Sequence, residues 1–185
     1  IKYSVIYIGL TIASILFASE TSAQRASISF QVFYDQLSPH GHWVDNPGYG
    51  YVWLPNVGPG FTPYATNGYW VMTEYGMTWV SNYSWGWAPF HYGRWEYDNN
   101  FGWFWVPDTE WGPAWVVWRQ SSDYYGWAPM RPGISITVSF GSHHHHHYDH
   151  WVFVRYNDID RYDLHRCYVN RRYHRQIITR STVIN

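Results

Sequence analysis

The stretch His91–Pro107, "HYGRWEYDNNFGWFWVP", decides how the rest of the chain is to be read. It places three tryptophans around a polar turn that ends in glycine. In "RWEYD" the side chains alternate, with Trp95 and Tyr97 on one side and Glu96 and Asp98 on the other. In "GWFWVP", Trp103 and Trp105 fall together and oppose Phe104 and Val106. The reading is an antiparallel β-hairpin whose turn is "NNFG" and whose Trp95 and Trp105 meet across the strands.

The same pattern occurs twice more, as "GHWVDNPGYGYVWLP" from Gly41 and "GYWVMTEYGMTWVS" from Gly68, with starts 27 and 25 residues apart. Each unit runs Gly-x-Trp, a polar turn, Gly-x-x-Trp, then an aliphatic residue. The middle turn is one residue shorter, which a hairpin loop absorbs without moving its strands. "PAWVVWRQSSDYYGWAP", residues 113–129, is a fourth and degenerate hairpin turning at Ser121-Ser122-Asp123. Proline-containing linkers such as "GFTPY" and "GWAPF" separate the units, since proline cannot donate to a sheet ladder. Strands are expected near 42–46, 50–54, 69–73, 77–81, 93–98, 102–106, 114–119 and 124–128.

The glycines carry two expectations. Gly50, Gly76 and Gly102 stand at turn exits where positive φ is needed, and Gly41, Gly68 and Gly93 let backbone pass close beneath an indole.

Composition supports the β reading. Fourteen tryptophans, 18 tyrosines and nine phenylalanines make the chain 22% aromatic, whereas only 14% is charged, a balance that disfavours long helices. The fold class expected is all-β: consecutive hairpins forming a small SH3-like or meander sheet over residues 24–133. Residues 134–185 are expected as an extended, partly irregular arm rich in His, Arg and Tyr. Cys167 is the single cysteine, so no intrachain disulfide can form and packing must hold the domain.

Residues 1–23 read as a signal peptide, with Lys2, an apolar run from Val5 to Phe17 and an exit ending Thr21-Ser22-Ala23. The location expected is therefore the periplasm, the outer-membrane surface or the extracellular space. Membrane contact would come only through an uncleaved signal or association with the envelope.

"FYDQLSPHGHWVDNPGYGYVWLP", "YSWGWAPFHYGRW" and "EWGPAWVVWR", together with "DHWVFV" and "IITRSTVIN", resemble an uncharacterised bacterial exported family of Tyr/Trp-rich repeats. Its marks are GxW, YxWxP and GWAPxxxGRW, and it is common in Bacteroidetes. The resemblance covers residues 30–185 and departs at Met77, at Ser81 and in the length of the His run. It implies export and a chain that continues past Asn185, but no catalytic residue.

Few groups suggest chemistry. His143, His144, His145, His146, His147 and His150 could hold a divalent transition metal, adventitiously if no neighbours fix the imidazoles. No other cofactor is expected. Glycoside hydrolysis would need a carboxylate pair across a cleft. The candidates, Glu74, Glu96, Asp98, Asp108 and Glu110, lie in turns or side by side on one strand. No nucleophile elbow, phosphate loop or CxxC motif is present. Nucleic acid is disfavoured because residues 26–141 carry eight acids against three arginines. Residues 142–185 carry seven arginines against four acids, and Arg171, Arg172, Arg175 and Arg180 could touch anionic envelope polymers.

The expectation is a non-enzymatic binding or scaffolding module that stacks polysaccharide on exposed rings. Trp85, Trp87, Tyr92, Trp111 and Trp127 form the candidate platform. A carbohydrate-active enzyme or its auxiliary domain, and a metal-binding envelope protein, are the alternatives.

Overall fold

The structure is a computed structural model that describes residues 28–133 and 150–184. It contains ten strands: β1 (Gly41–Asn46), β2 (Gly50–Pro55), β3 (Gly68–Thr73), β4 (Gly76–Ser81), β5 (Tyr92–Asp98), β6 (Gly102–Trp111), β7 (Val116–Gln120), β8 (Tyr124–Pro129), β9 (Val152–Arg155) and β10 (Thr182–Ile184). Two short helices, α1 (Phe30–Leu37) and α2 (His174–Thr179), flank them.

All four expected hairpins form. Their registers place Trp43 opposite Trp53, Trp70 opposite Trp79, Trp95 opposite Trp105 and Trp118 opposite Trp127. Both glycine roles are realised. Gly50, Gly76 and Gly102 have φ of +72°, +95° and +74°, with open space where a Cβ would stand, so backbone conformation alone demands glycine there. At Gly41, Gly68 and Gly93 a Cβ would lie 2.2–2.7 Å from the return-strand indole and backbone of its own hairpin.

The hairpins do not follow one another in a single meander. The first and third share a four-stranded sheet in the order β1-β2-β6-β5, joined where Trp53 opposes Trp105. β3 and β4 remain a two-stranded ribbon, and the fourth hairpin founds a second sheet in the order β10-β7-β8-β9. The large indoles explain the arrangement: Trp53, Trp70, Trp79, Trp95, Trp105 and Trp127 are fully buried in one core to which all three sheets contribute. A ring buries about 150–250 Å², so these side chains do what aliphatics and disulfides do elsewhere.

Two inserted segments fill that core. α1 delivers Phe33 and Leu37, one turn apart on its inner face, against Trp105 and beneath Trp53. The linker before β3 delivers Tyr64, whose backbone is left-handed at φ 58°. A bulky residue pays for that conformation, and here three bonds hold it: its hydroxyl donates to Phe90 O and accepts from Trp115 N, and its carbonyl accepts from Trp127 Nε1 at 2.8 Å. Burial raises the Tyr64 phenol pKa, so it stays a neutral donor.

The C-terminal segment corrects the expected arm. Residues 150–184 are built into the domain, with β9 pairing along β8 and β10 along β7. Ile177 and Ile178 of α2 pack with Trp115, Val117, Trp151 and Phe153 on the second sheet, whose other face turns to the main core. Arg119 clamps this segment through Nε to Ser181 Oγ and Nη2 to the Ile178 and Ser181 carbonyls. Its strands have four and three residues and its helix six, too short to print a period on the sequence. Among the described residues, no helix is long and apolar enough to cross a membrane.

Candidate functional site

The five residues of the expected platform do not form one row. Trp85 is buried, stacked on Tyr83 at 4.4 Å and edge-on to Trp53. Trp127 is fully buried among Trp70, Trp118 and Tyr168. Trp85 is core because the turns between β4 and β5 fold over the tryptophan cluster, and Trp127 because it lies on the core-facing side of β8 opposite Trp118. Tyr92 is half-buried against Phe33 of α1, and Trp87 lies on the same phenylalanine while remaining exposed. Trp111 is also exposed. It stacks on His91 at 5.8 Å and meets Tyr75 edge-on at 5.0 Å, making a separate ledge at the open end of the third hairpin. The His91 ring is fixed by a 3.0 Å hydrogen bond between Nδ1 and Gly112 O, and burial lowers its pKa.

The concave feature lies at the other end of that hairpin. Beside the β5–β6 turn opens a pocket of about 560 Å³, within the range of small-ligand sites. β5 and β6 give it Tyr97 and Trp103, register partners whose rings meet at 5.4 Å. The second sheet and the segment around it give Arg131, Trp151 and Arg171. His150 stands 4.8 Å from the Tyr97 ring and 4.7 Å from that of Trp103, completing an aromatic wall.

This wall exists because the Trp95–Tyr97–Trp103–Trp105 face of the hairpin outruns what covers it. Trp95 and Trp105 are buried, while one step toward the turn Tyr97 is exposed and Trp103 only half-buried. Alternation in the sequence marks Tyr97 and Trp103 as members of that face. Their nearness to the turn is the available signal that they reach its edge.

Glu96, on the opposite strand face, is buried rather than solvated. Its Oε2 accepts from Arg131 Nε at 2.7 Å and its Oε1 from Tyr97 N at 3.0 Å. The Tyr49 phenol pKa is raised, first by burial and then by the Glu96 charge. Asp98 holds the turn, its Oδ1 accepting from Asn100 N at 2.7 Å and Phe101 N at 3.2 Å. The two pocket carboxylates are thus engaged by the fold's own hydrogen bonds. Asp108 likewise receives Thr109 N and Glu110 N outside the pocket.

Among the described residues, no group of three or more His, Cys, Asp or Glu is arranged to hold a metal ion. His150 belongs to the aromatic wall, and His143–His147 lie outside the described residues. Burial raises the Cys167 thiol pKa, which works against a reactive thiolate.

A family model described as a family of unknown function, DUF6600, matches residues 34–134, more than half of the chain. The chain belongs to DUF6600. The matched region begins within α1 and spans all four hairpins, so the tryptophan pairs and the β5–β6 side of the pocket lie within DUF6600. Trp151 and Arg171, from the opposite side of the pocket, lie beyond the matched residues. No curated protein and no solved structure matches the chain.

Proposed function

We propose that this protein is an exported, non-catalytic binding module of a bacterial envelope or its surroundings, and that the pocket beside the β5–β6 turn holds polysaccharide. The observation that carries this reading is the aromatic wall of Tyr97, Trp103 and His150 in a pocket whose remaining lining is rich in polar side chains. Sugar rings present C–H faces that pack on indole and phenol, while their hydroxyls need hydrogen-bonding partners at the edge. The rings are held by the strand register and by one another, which limits the ordering cost of binding. Export is supported by the N-terminal pattern of residues 1–23.

The test is a tryptophan-fluorescence titration of the full chain against dextran, xylan, mannan and polygalacturonate, repeated on Trp103→Ala and Tyr97→Ala. Trp103 is half-buried at the pocket edge and Tyr97 is exposed, so both variants keep the core. The expected result is saturable binding to at least one polymer that weakens about tenfold or more in either variant, as loss of a central aromatic contact does. Binding that survives both substitutions unchanged assigns the ligand elsewhere, with the Trp111 ledge next to be mutated. Absence of binding to every polymer defeats the reading.

A further inference from the structure

If the pocket holds sugar rings, as proposed above, its hydrogen-bonding inventory selects among them. Its acids are Glu96 and Asp98, and each already accepts bonds from the fold: Glu96 from Arg131 and Tyr97 N, and Asp98 from two backbone N–H groups of its turn. Its bases are disposed differently. Arg131 donates Nε to Glu96, and its side chain is 51% exposed. A guanidinium carries five N–H donors, so the Nη edge of Arg131 keeps donors for a ligand. Arg171, exposed at the start of the short 3₁₀ turn Arg171–Tyr173, is not paired with a carboxylate among the described residues.

Counting formal charges leaves the pocket close to neutral, because Glu96 and Asp98 offset the two arginines. Charge count is therefore not what decides. The placement of strong donors is: the guanidinium edges of Arg131 and Arg171 keep N–H groups beside a flat aromatic wall. A ligand that satisfies both features is a sugar ring bearing a planar anion. Its face packs on Trp103 or Tyr97 and its carboxylate accepts paired N–H bonds from an arginine fork. We infer that the pocket takes uronate-bearing, acidic polysaccharide in preference to neutral glycan. The arginine-rich C-terminal segment, folded against the second sheet, brings one of those forks to the site.

Isothermal titration of the full chain against three probes tests this: polygalacturonate, dextran as a neutral glycan, and poly-L-glutamate as a polyanion without sugar rings. Polygalacturonate is expected to bind at least about tenfold tighter than either of the others, the size of one charge-assisted hydrogen bond. Arg171→Ala is expected to weaken polygalacturonate by about tenfold while leaving the unfolding midpoint unchanged, since Arg171 is exposed. Arg131→Lys, which keeps a cation beside Glu96 but removes the planar fork, is expected to weaken it comparably. Dextran binding as tightly as polygalacturonate overturns the acidic preference while leaving polysaccharide binding in place. Equal binding of poly-L-glutamate, or an Arg171→Ala variant with full affinity, also overturns it. Polygalacturonate that fails to bind while dextran binds defeats this inference alone; failure of both glycans, and of those titrated above, defeats the pocket reading beneath it.

Discussion

The third hairpin, β5–β6, and the middle one, β3–β4, are copies of one sequence pattern with different surroundings. In the third, the return-strand indole of Trp105 donates to the Tyr92 carbonyl just before the hairpin, at 2.6 Å. In the first hairpin Trp53 Nε1 also finds a carbonyl, but that of Leu37, four residues before Gly41, at 3.1 Å, because His40 O just before the hairpin is taken by Asn56 N at 2.8 Å. In the middle copy, Trp79 Nε1 is buried without a hydrogen-bond partner. The carbonyl just before that hairpin belongs to Asn67, whose φ is 56° and whose oxygen is taken by Asn82 N at 2.8 Å. The carbonyl of Tyr64, which stands four residues before Gly68 as Leu37 does before Gly41, is taken by Trp127 Nε1 at 2.8 Å. Trp79 is instead enclosed by the rings of Tyr64, Trp70 and Phe90, which offer only π-density to an N–H. The lesson is that the Gly-x-Trp pattern fixes a hairpin, whereas the segment that precedes it governs whether an uncommitted carbonyl reaches the return indole or the indole is merely packed.

The comparison breaks most sharply at the glycines. At Gly93 a Cβ would lie 2.2 Å from Val106 O and 2.7 Å from Trp105 Nε1, and φ is +66°. At Gly68 the nearest atoms, Trp79 Cζ2 and Val80 O, are both 2.5 Å away, and no left-handed conformation is added. Gly93→Ala should therefore lose about 4 kcal/mol, overpacking and backbone strain together, and Gly68→Ala about 2 kcal/mol. Urea unfolding followed by tryptophan emission checks the order. Equal losses would mean that the left-handed backbone at Gly93 costs nothing.

A smaller effect isolates the hydrogen bond. Trp105→Phe and Trp79→Phe remove similar ring area, but only the first leaves a carbonyl that has lost its donor. Trp105→Phe should cost about 1–2 kcal/mol more than Trp79→Phe by the same measurement. A larger loss at Trp79 would show that its N–H has a stronger acceptor than ring density.

The hairpins were legible because each is local: alternation, a glycine-closed turn and a repeated spacing lie within one short window. Sheet membership was not, since whether the first hairpin joins the third depends on Trp53 meeting Trp105 across 52 positions of sequence. The C-terminal elements were hidden for another reason. Val152–Arg155 is four residues long, and its partner strand explains it better than its own pattern does. Of the candidate site, Trp111 and Trp87 are exposed, while Trp85 and Trp127 belong to the core. Tyr97 and Trp103 were assigned to the right face. What the sequence did not mark was where cover on that face ends.

The smallest effect sets the hairpins against the C-terminal segment, through their histidines. His91 precedes β5 and His174 opens α2. Burial lowers both pKa values, against hydrogen bonds to Gly112 O and Val169 O that act the other way. A histidine with a depressed folded pKa is protonated more readily when unfolded. Its folded environment therefore costs nothing above the ordinary value near 6.5, and stability falls as pH drops below that value toward the folded pKa. His174 is the less exposed, buried in edge-on contact with Phe153 at 5.1 Å, whereas the His91 ring is half-buried, stacked on Trp111. Between pH 7 and 5 the urea midpoint should decline, and His174→Gln should flatten that decline while lowering the midpoint at pH 7. If the slope is unchanged in His174→Gln but lost in His91→Gln, the titration that limits stability lies at the hairpin ledge and not where the C-terminal helix docks.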